Sequence, residues 1–384
     1  PYFEAHCRLA LSQVLVACGQ ADKTTDDLRQ VLQLTRQIKN SLLEFMSLLT
    51  FSDMALATGR PAIGLSTLKR GLEVGREKGF RHFLWWQPRM MSRLCNRALQ
   101  EGIETDYVRS LIRDRGLRPV AMSEVAVQWP WDFKMHAFGE FEIVHGNTAL
   151  TEPGRSSVRP MVLLKTLISL GARKVPEHTL ASCLWPRIDA QYAQRSLTTT
   201  LHRLRKWLGE DQALILRHGR LSLNPDRCWL DVQAFDAVVT RIENLLTTST
   251  DAPGAVPGEL FGLAEQLLSL YRGPFMAGEE NLEVILACRE QYRNRFLRAL
   301  GDIAHGLEQG GQQELAIGLY RRGLQADPLA EGLYRRLMLI YRNRSRIEEA
   351  LEIYSACKLA LQNGLNTPPG PETEAIHRAL LASL

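Results

Sequence analysis

Between Ala193 and Asn224 the alternation of apolar and polar positions is the most specific in the chain. Leu197, Leu201, Leu204 and Leu208 recur at i, i+4, i+7 and i+11, a spacing that predicts one helix with a leucine face. Arg195, Thr199, His202, Arg203 and Lys206 fall on the opposite face, and from Ala193 to Gly209 there are four cations and no carboxylate. An apolar run (Leu214, Ile215, Leu216), a basic turn (Arg217, His218, Gly219, Arg220) and a return run (Leu221, Ser222, Leu223) then predict a hairpin with a basic tip. A basic helix with a buried back, followed by such a hairpin, suits a duplex: the helix fits the major groove and the wing tip reaches phosphates or the minor groove.

The same patterning divides the rest of the chain. Residues 1–119 show only helical periodicity, with two similar openings forty residues apart, Gly19-Gln20-Ala21 and Gly59 to Leu65, which predict tetratricopeptide-like helix pairs acting as a sensor or relay arm. Residues 120–131 read as a linker. In residues 132–227, Phe133–Gly139 and Phe141–Val144 predict short strands around a turn at His145-Gly146-Asn147, and Glu152–Arg155 a loop. Helices are expected over Arg159–Leu170 and Glu177–Leu184, the second ended by Trp185-Pro186, with the basic helix third. In residues 228–384 a polar stretch, Thr247–Gly258, predicts a loop. Beyond it Glu314–Tyr320 recurs as Glu348–Tyr354 at an offset of thirty-four residues, with Ala316/Ala350 and Tyr320/Tyr354 at matching places. Packing between helix pairs is the expected role of these residues. The fold class expected is mainly α: tetratricopeptide-like helical repeats flanking a winged helix-turn-helix domain with small antiparallel sheets.

Charge sharpens this picture. The 384 residues carry a net +5, unevenly shared. Residues 132–227 hold 14 Lys and Arg against 9 Asp and Glu, residues 231–384 hold 15 against 20, and residues 1–131 hold 18 against 13. A basic middle beside an acidic C-terminal block points to a polyanion partner at the middle, with a solvated basic face as the plain alternative. The imbalance also suggests that the acidic block masks the basic helix at rest. No run approaches the twenty apolar residues of a membrane span, and no partner membrane is expected. Seven scattered cysteines without a C-x-x-C pair fit a reduced, cytoplasmic compartment. The chain starts with Pro1 already in helical pattern and is read as an excerpt of a longer polypeptide.

The stretch Arg195-Ser196-Leu197-Thr198-Thr199-Thr200-Leu201-His202-Arg203-Leu204-Arg205-Lys206 resembles the recognition helix of OmpR-type winged-helix domains, where R-S-I-D-V-x-I-x-R-L-R-K is typical. Thr198 departs from the acid common there, and Arg217-His218-Gly219-Arg220 departs from the family's R-G-x-G-Y-R wing. Leu230–Phe235 and Tyr271-Arg272-Gly273-Pro274-Phe275-Met276 are similar to the join and to a Y-x-G-x-F/L element of the bacterial transcriptional activator domain. Together they resemble the Streptomyces antibiotic regulatory protein group. The leading helical repeats are similar to the arm of large ATP-dependent regulators such as the maltose-regulon activator, which implies an ATPase domain upstream. No G-x-x-x-x-G-K-[ST] loop occurs within these residues.

The resemblance implies a sequence-specific transcriptional regulator, an activator, that grips double-stranded promoter DNA. Arg203 is a candidate for a guanine edge or a phosphate, Arg195 and Lys206 for phosphates, Thr198 and Thr199 for a thymine methyl or a phosphate. Ser196, His202 and Arg205 complete the helix set, with His202 also readable as solvated and Arg205 as packing on its own domain. Arg217 and Arg220 are the wing candidates. Further partners expected are RNA polymerase, a second protomer through the helical repeats, and a small-molecule or protein signal at the N-terminal repeats. No cofactor, metal or catalytic set is predicted: G-x-S-x-G, H-E-x-x-H and paired-cysteine spacings are missing from the sequence, so an enzyme is not expected. The alternative is a protein-interaction scaffold whose winged helix binds protein rather than DNA.

Overall fold

The computed structural model describes residues 1–119, 128–146, 148–150, 158–209, 211–248, 257–280 and 282–382. The expected loops at Glu152–Arg155 and in the middle of Thr247–Gly258, the turn residue Asn147 and most of the 120–131 linker lie outside these residues. Packing separates two units, Pro1–Trp131 and Asp132–Leu384.

The first unit is helical: α1 (Tyr2–Ala17), α2 (Thr25–Ile38), α3 (Ser41–Ala57), α4 (Pro61–Lys78), α5 (Pro88–Gln100) and α6 (Thr105–Arg115). Gly19 and Gly59 sit just past the ends of α1 and α3 in the left-handed conformation that a glycine tolerates, so each closes one helix and lets the chain turn into the next. The densest packing is between α3 and α4, around the fully buried Phe45, Met46, Leu49 and Leu68. Gly75 permits the close approach of α4: a methyl there would lie 2.4 Å from the Tyr107 hydroxyl and 2.6 Å from the Phe45 ring. That hydroxyl donates to the Phe80 carbonyl at 2.5 Å, tying α6 to the end of α4.

The second unit begins with two small sheets around three helices. Strands β1 (Phe133–His136), β2 (Glu142–His145), β3 (Thr148–Ala149) and β7 (Cys228–Leu230) form one sheet in the order β3-β2-β1-β7. Strands β4 (Val175–Pro176), β5 (Leu214–Arg217) and β6 (Arg220–Leu223) form the other in the order β4-β6-β5. Between and beside them lie α7 (Val158–Ser169), α8 (Glu177–Leu184) and α9 (Ala190–Leu208). The sequence suggested antiparallel pairs only, but β7 runs parallel to β1, pairing Phe133 with Cys228 and Met135 with Leu230. A parallel partner needs a long crossover, and here the crossover is the whole three-helix module and its hairpin. β3, β4 and β7 are too short for an alternating pattern to betray them.

From β7 the chain passes directly into α10 (Asp231–Thr248), followed by α11 (Pro257–Leu270), α12 (Glu283–Gln309), α13 (Gln313–Ala326), α14 (Glu331–Asn343), α15 (Ile347–Leu365) and α16 (Pro371–Leu381). Successive helices pack on one another, α12 on α13 and α14 on α15 above all. The thirty-four-residue repeat has a physical counterpart. Ala316 and Ala350 are fully buried, and Tyr320 and Tyr354 bury their rings while donating to Glu308 and Glu374, each at 2.6 Å.

A buried carboxylate joins the module to these helices. Asp231 is 1% exposed; one carboxylate oxygen accepts from the Ala137 and Phe138 amides at 2.7 and 2.9 Å, and the other from Val232 at 2.7 Å. Next to it Phe138 packs on Phe235, Tyr271 and Tyr292. The Tyr271–Met276 element runs alongside, with Gly139 donating to Pro274, and Met276 to Ala137. Burial pushes the Asp231 carboxyl up to about 6, against the lowering effect of its amide donors and of Arg272. Its proton is therefore held more tightly in the folded state. The stability it contributes is fully present below its ordinary value near 4 and is lost as pH rises through about 6. Comparing the full chain with its Asp231→Asn variant at pH 4.5 and 7.5 should show the wild type gaining on the variant at the lower pH, by on the order of 1–3 kcal/mol. Hydrogen exchange of the Ala137, Phe138 and Val232 amides reads this locally; a difference that ignores pH would refute it.

Candidate nucleic-acid interface

α9 starts at Ala190, three residues before the helix read from its leucines, because Asp189 caps it: the carboxylate accepts from the Gln191 amide at 2.9 Å. Gly209, in the left-handed conformation, ends it. Leu197, Leu201, Leu204 and Leu208 are buried against α7 and α8, beside Leu163, Leu164, Leu167, Leu180 and Leu184. Three consecutive threonines, poor helix formers, are accommodated because each hydroxyl donates to the carbonyl four residues back: Thr198 to Gln194, Thr199 to Arg195 and Thr200 to Ser196. Thr198 and Thr199 are exposed, with their hydroxyl protons committed to the helix's own carbonyls.

The packing of the leucines orients everything else. At about 100° per residue, Arg195, Ser196, Thr199, His202, Arg203 and Lys206 share an arc of roughly 120° opposite the leucines, with Thr198 at its border. Arg195, Thr198, Thr199, His202, Arg203 and Lys206 are exposed and Ser196 is half-buried. Among the described residues Arg195, Arg203 and Lys206 have no ion-pair partner, and all three are exposed to solvent.

Arg205 does not belong with them. It is half-buried, and its Nη2 donates to the Leu214 carbonyl at 3.3 Å, so it fastens α9 to β5. Its position lies toward the flank of the leucine face, where a long cation packs its stem and spends its head on a local acceptor. This corrects the grouping of Arg205 with the outward cations.

In the hairpin, Arg217 pairs with Arg220 across a two-residue turn, His218-Gly219, both with positive φ (50° and 68°) as the twist of a tight hairpin requires. Arg217 is exposed and has no ion-pair partner among the described residues; Arg220 is exposed, but its Nη1 donates to the Lys174 carbonyl at 3.2 Å. The tip is held from below, since the Glu177 amide donates to the Gly219 carbonyl at 2.9 Å and β4 pairs with β6. Both arginines are thus presented from a braced loop.

Two features escaped the sequence reading. Tyr192 is 65% exposed and falls on the same arc, at i−3 from Arg195 and i−7 from Thr199. Ile188, 49% exposed, precedes it by one turn. The signal was the Asp189 cap, which moves the start of the helix back far enough to include Tyr192. Among the described residues no cluster of His, Cys, Asp or Glu is arranged to hold a metal ion, and no helix is long and apolar enough to cross a membrane.

With this geometry in hand, comparisons with known proteins add the following. Residues 230–381 match the family described as the bacterial transcriptional activator domain, the span that begins at the last residue of β7 and runs through α16. The match covers the C-terminal helices of the second unit and does not extend over its three-helix module. No curated protein matches the chain. Among solved structures, Mycobacterium tuberculosis EmbR in complex with a low-affinity phosphopeptide is 19% identical over 66% of this chain, with a TM-score of 0.47; the chain spans 65% of the EmbR chain. The complex of NprR with its cognate peptide NprX is 10% identical, covering 98% of this chain and 86% of that one at a TM-score of 0.27. The yeast Sti1 TPR2AB domain with a pHSP90 peptide is 10% identical over 99% of both chains at 0.25.

The division of labour along α9 can be checked directly. Leu204→Ala should destabilise the second unit by about 2–5 kcal/mol, the usual result of emptying a buried leucine site. Arg203→Ala, one residue earlier, should change stability by no more than about 0.5 kcal/mol. Urea denaturation of both variants decides; comparable losses would mean that Arg203 is a structural residue.

Proposed function

We propose that this chain is part of a sequence-specific transcriptional regulator, an activator, in which residues 132–227 act as an OmpR-type winged-helix domain and residues 228–384 as the activator domain. α9 enters the major groove of promoter DNA and the β5–β6 turn reaches an adjacent backbone or minor groove. The observation that carries the reading is the set of exposed outward cations on a leucine-backed helix, continuous in chain and packing with a region that matches the bacterial transcriptional activator domain. In their assigned roles, Arg203 spans a guanine's O6 and N7, Arg195 and Lys206 hold phosphates, Thr198 and Thr199 offer methyls to thymine, and Ser196 and His202 line the flanks. Arg217 is the principal wing contact; Arg220 braces the wing and adds its charge.

The C-terminal helices are then the surface for RNA polymerase or a second protomer, and the helices of the first unit receive a small-molecule or protein signal. In the protein-binding alternative the basic helix meets an acidic protein partner, and affinity for duplex DNA at moderate salt separates the two readings.

Electrophoretic mobility shift with duplexes selected from a random pool tests this. Arg203→Ala should weaken binding by roughly ten- to a hundredfold, equivalent to about 1–3 kcal/mol, and relax preference at one base pair. Lys206→Ala and Arg217→Ala should weaken all sequences alike and lower the salt slope by about 0.9 each. Salt-independent behaviour, identical in wild type and variants, would overturn the reading.

A further inference from the structure

The outward arc of α9 has an order of side-chain lengths as well as a charge. Long side chains stand at both ends, Tyr192 and Arg195 at the start, His202, Arg203 and Lys206 toward the finish. The middle holds only Ser196 and Thr199, with Thr198 beside them. From Tyr192 to Lys206 the axis covers roughly 21 Å. Over that length a straight rod laid in a groove that winds around a cylinder comes closest at its middle and parts from the floor toward its ends. Short residues at the centre let the backbone approach, and long ones at the ends bridge the widening gap.

Tyr192 is the phenol of this arc, large and without a basic group, where His202, the other uncharged long side chain, carries an imidazole. Tyr192, in the first turn of α9, is 65% exposed, and Ile188, just ahead of the Asp189 cap, is 49% exposed, so apolar surface stands at the start of an otherwise cationic face. A phosphate is disfavoured at this end. The Asp189 carboxylate occupies the helix N-cap, taking the Gln191 amide and placing a negative charge where a phosphate would otherwise sit. An aromatic edge in the major groove, with phosphates repelled from its neighbourhood, finds its match in the one apolar group on the groove floor, the thymine 5-methyl.

We propose that Tyr192 is a specificity-determining residue that reads a thymine methyl through its ring, at a base pair displaced along the groove from the one met by Arg203. This rests on the DNA-binding reading above and extends it to a residue and a base type. The hydroxyl is incidental to the contact; the ring supplies it.

The test uses the full chain and the duplex that wild type selects from a random-sequence pool. Each thymine is replaced in turn by uracil, which keeps every hydrogen-bonding group and removes only the methyl. Wild type should lose about three- to tenfold in affinity at one or two positions, the scale of one buried methyl group. Tyr192→Phe should bind and discriminate as wild type does. Tyr192→Ala should bind that duplex more weakly by a similar factor and be indifferent to uracil at those same positions. Thr199→Leu, which lengthens the centre of the arc on an exposed site, should weaken selected and random duplexes together.

If Tyr192→Phe is as weak as Tyr192→Ala while uracil has no effect, the residue holds a phosphate through its hydroxyl and the proposal is wrong. It is equally wrong if Tyr192→Ala matches wild type on every duplex. If Thr199→Leu binds normally, the argument from side-chain length fails. Should wild type select no duplex at all, the DNA-binding reading itself falls, an outcome distinct from each of these.

Discussion

One buried carboxylate holds the second unit together. Asp231 stands where β7 becomes α10, and it satisfies three backbone amides that would otherwise be left in the interior without acceptors. Leaving such groups unpaired costs on the order of 1–3 kcal/mol each, so this junction has little freedom to rearrange. It determines how β1 leaves its sheet, how Phe138 enters the aromatic cluster with Phe235, Tyr271 and Tyr292, and how the Tyr271–Met276 element is clasped along β1. The three-helix module and the C-terminal helices therefore move as one body at this seam, not as beads on a linker.

Other contacts reinforce it. Lys165, almost wholly buried on α7, forms an ion pair with Glu279 at 2.5 Å and lies over the Phe141 ring. The Cys288 thiol on α12 donates to the Ser169 carbonyl at the end of α7 at 3.1 Å. Arg289 donates to three carbonyls of the 275–279 segment. α7 in turn backs α9. A change in the packing of the C-terminal helices thus has a short mechanical path to the face that carries Arg195, Arg203 and Lys206, through polar contacts to α7 and through buried leucines from α7 to α9.

How much of this was legible beforehand follows from the physics of each element. The leucine stripe of α9 announced both the helix and the direction of its cations, because burial on one face dictates exposure on the other. The hairpin was readable from His218-Gly219 flanked by apolar runs. The thirty-four-residue echo of Ala316 and Tyr320 at Ala350 and Tyr354 was readable because a repeated packing problem has a repeated solution. Arg205 stood in the candidate set while also being readable as packing on its own domain, since a charge count does not distinguish a cation that faces water from one that folds back on a carbonyl. Tyr192 was missed since a helix start depends on a cap, and Asp189 looked like any other loop residue after Pro186.

The order of residues by itself determined local conformation and sidedness: which stretches coil, which faces are apolar, where glycine must allow a turn. Those are properties of neighbours along the chain, set by steric limits on each residue and by period. Only the tertiary structure decided that β7 returns to pair in parallel with β1, that Asp231 serves amides nearly a hundred residues away, and that Arg205 and Arg220 donate to backbone carbonyls of their own domain while Arg203 and Arg217 stand exposed. Those outcomes depend on which distant groups must share the same unsolvated space, and no local pattern encodes that.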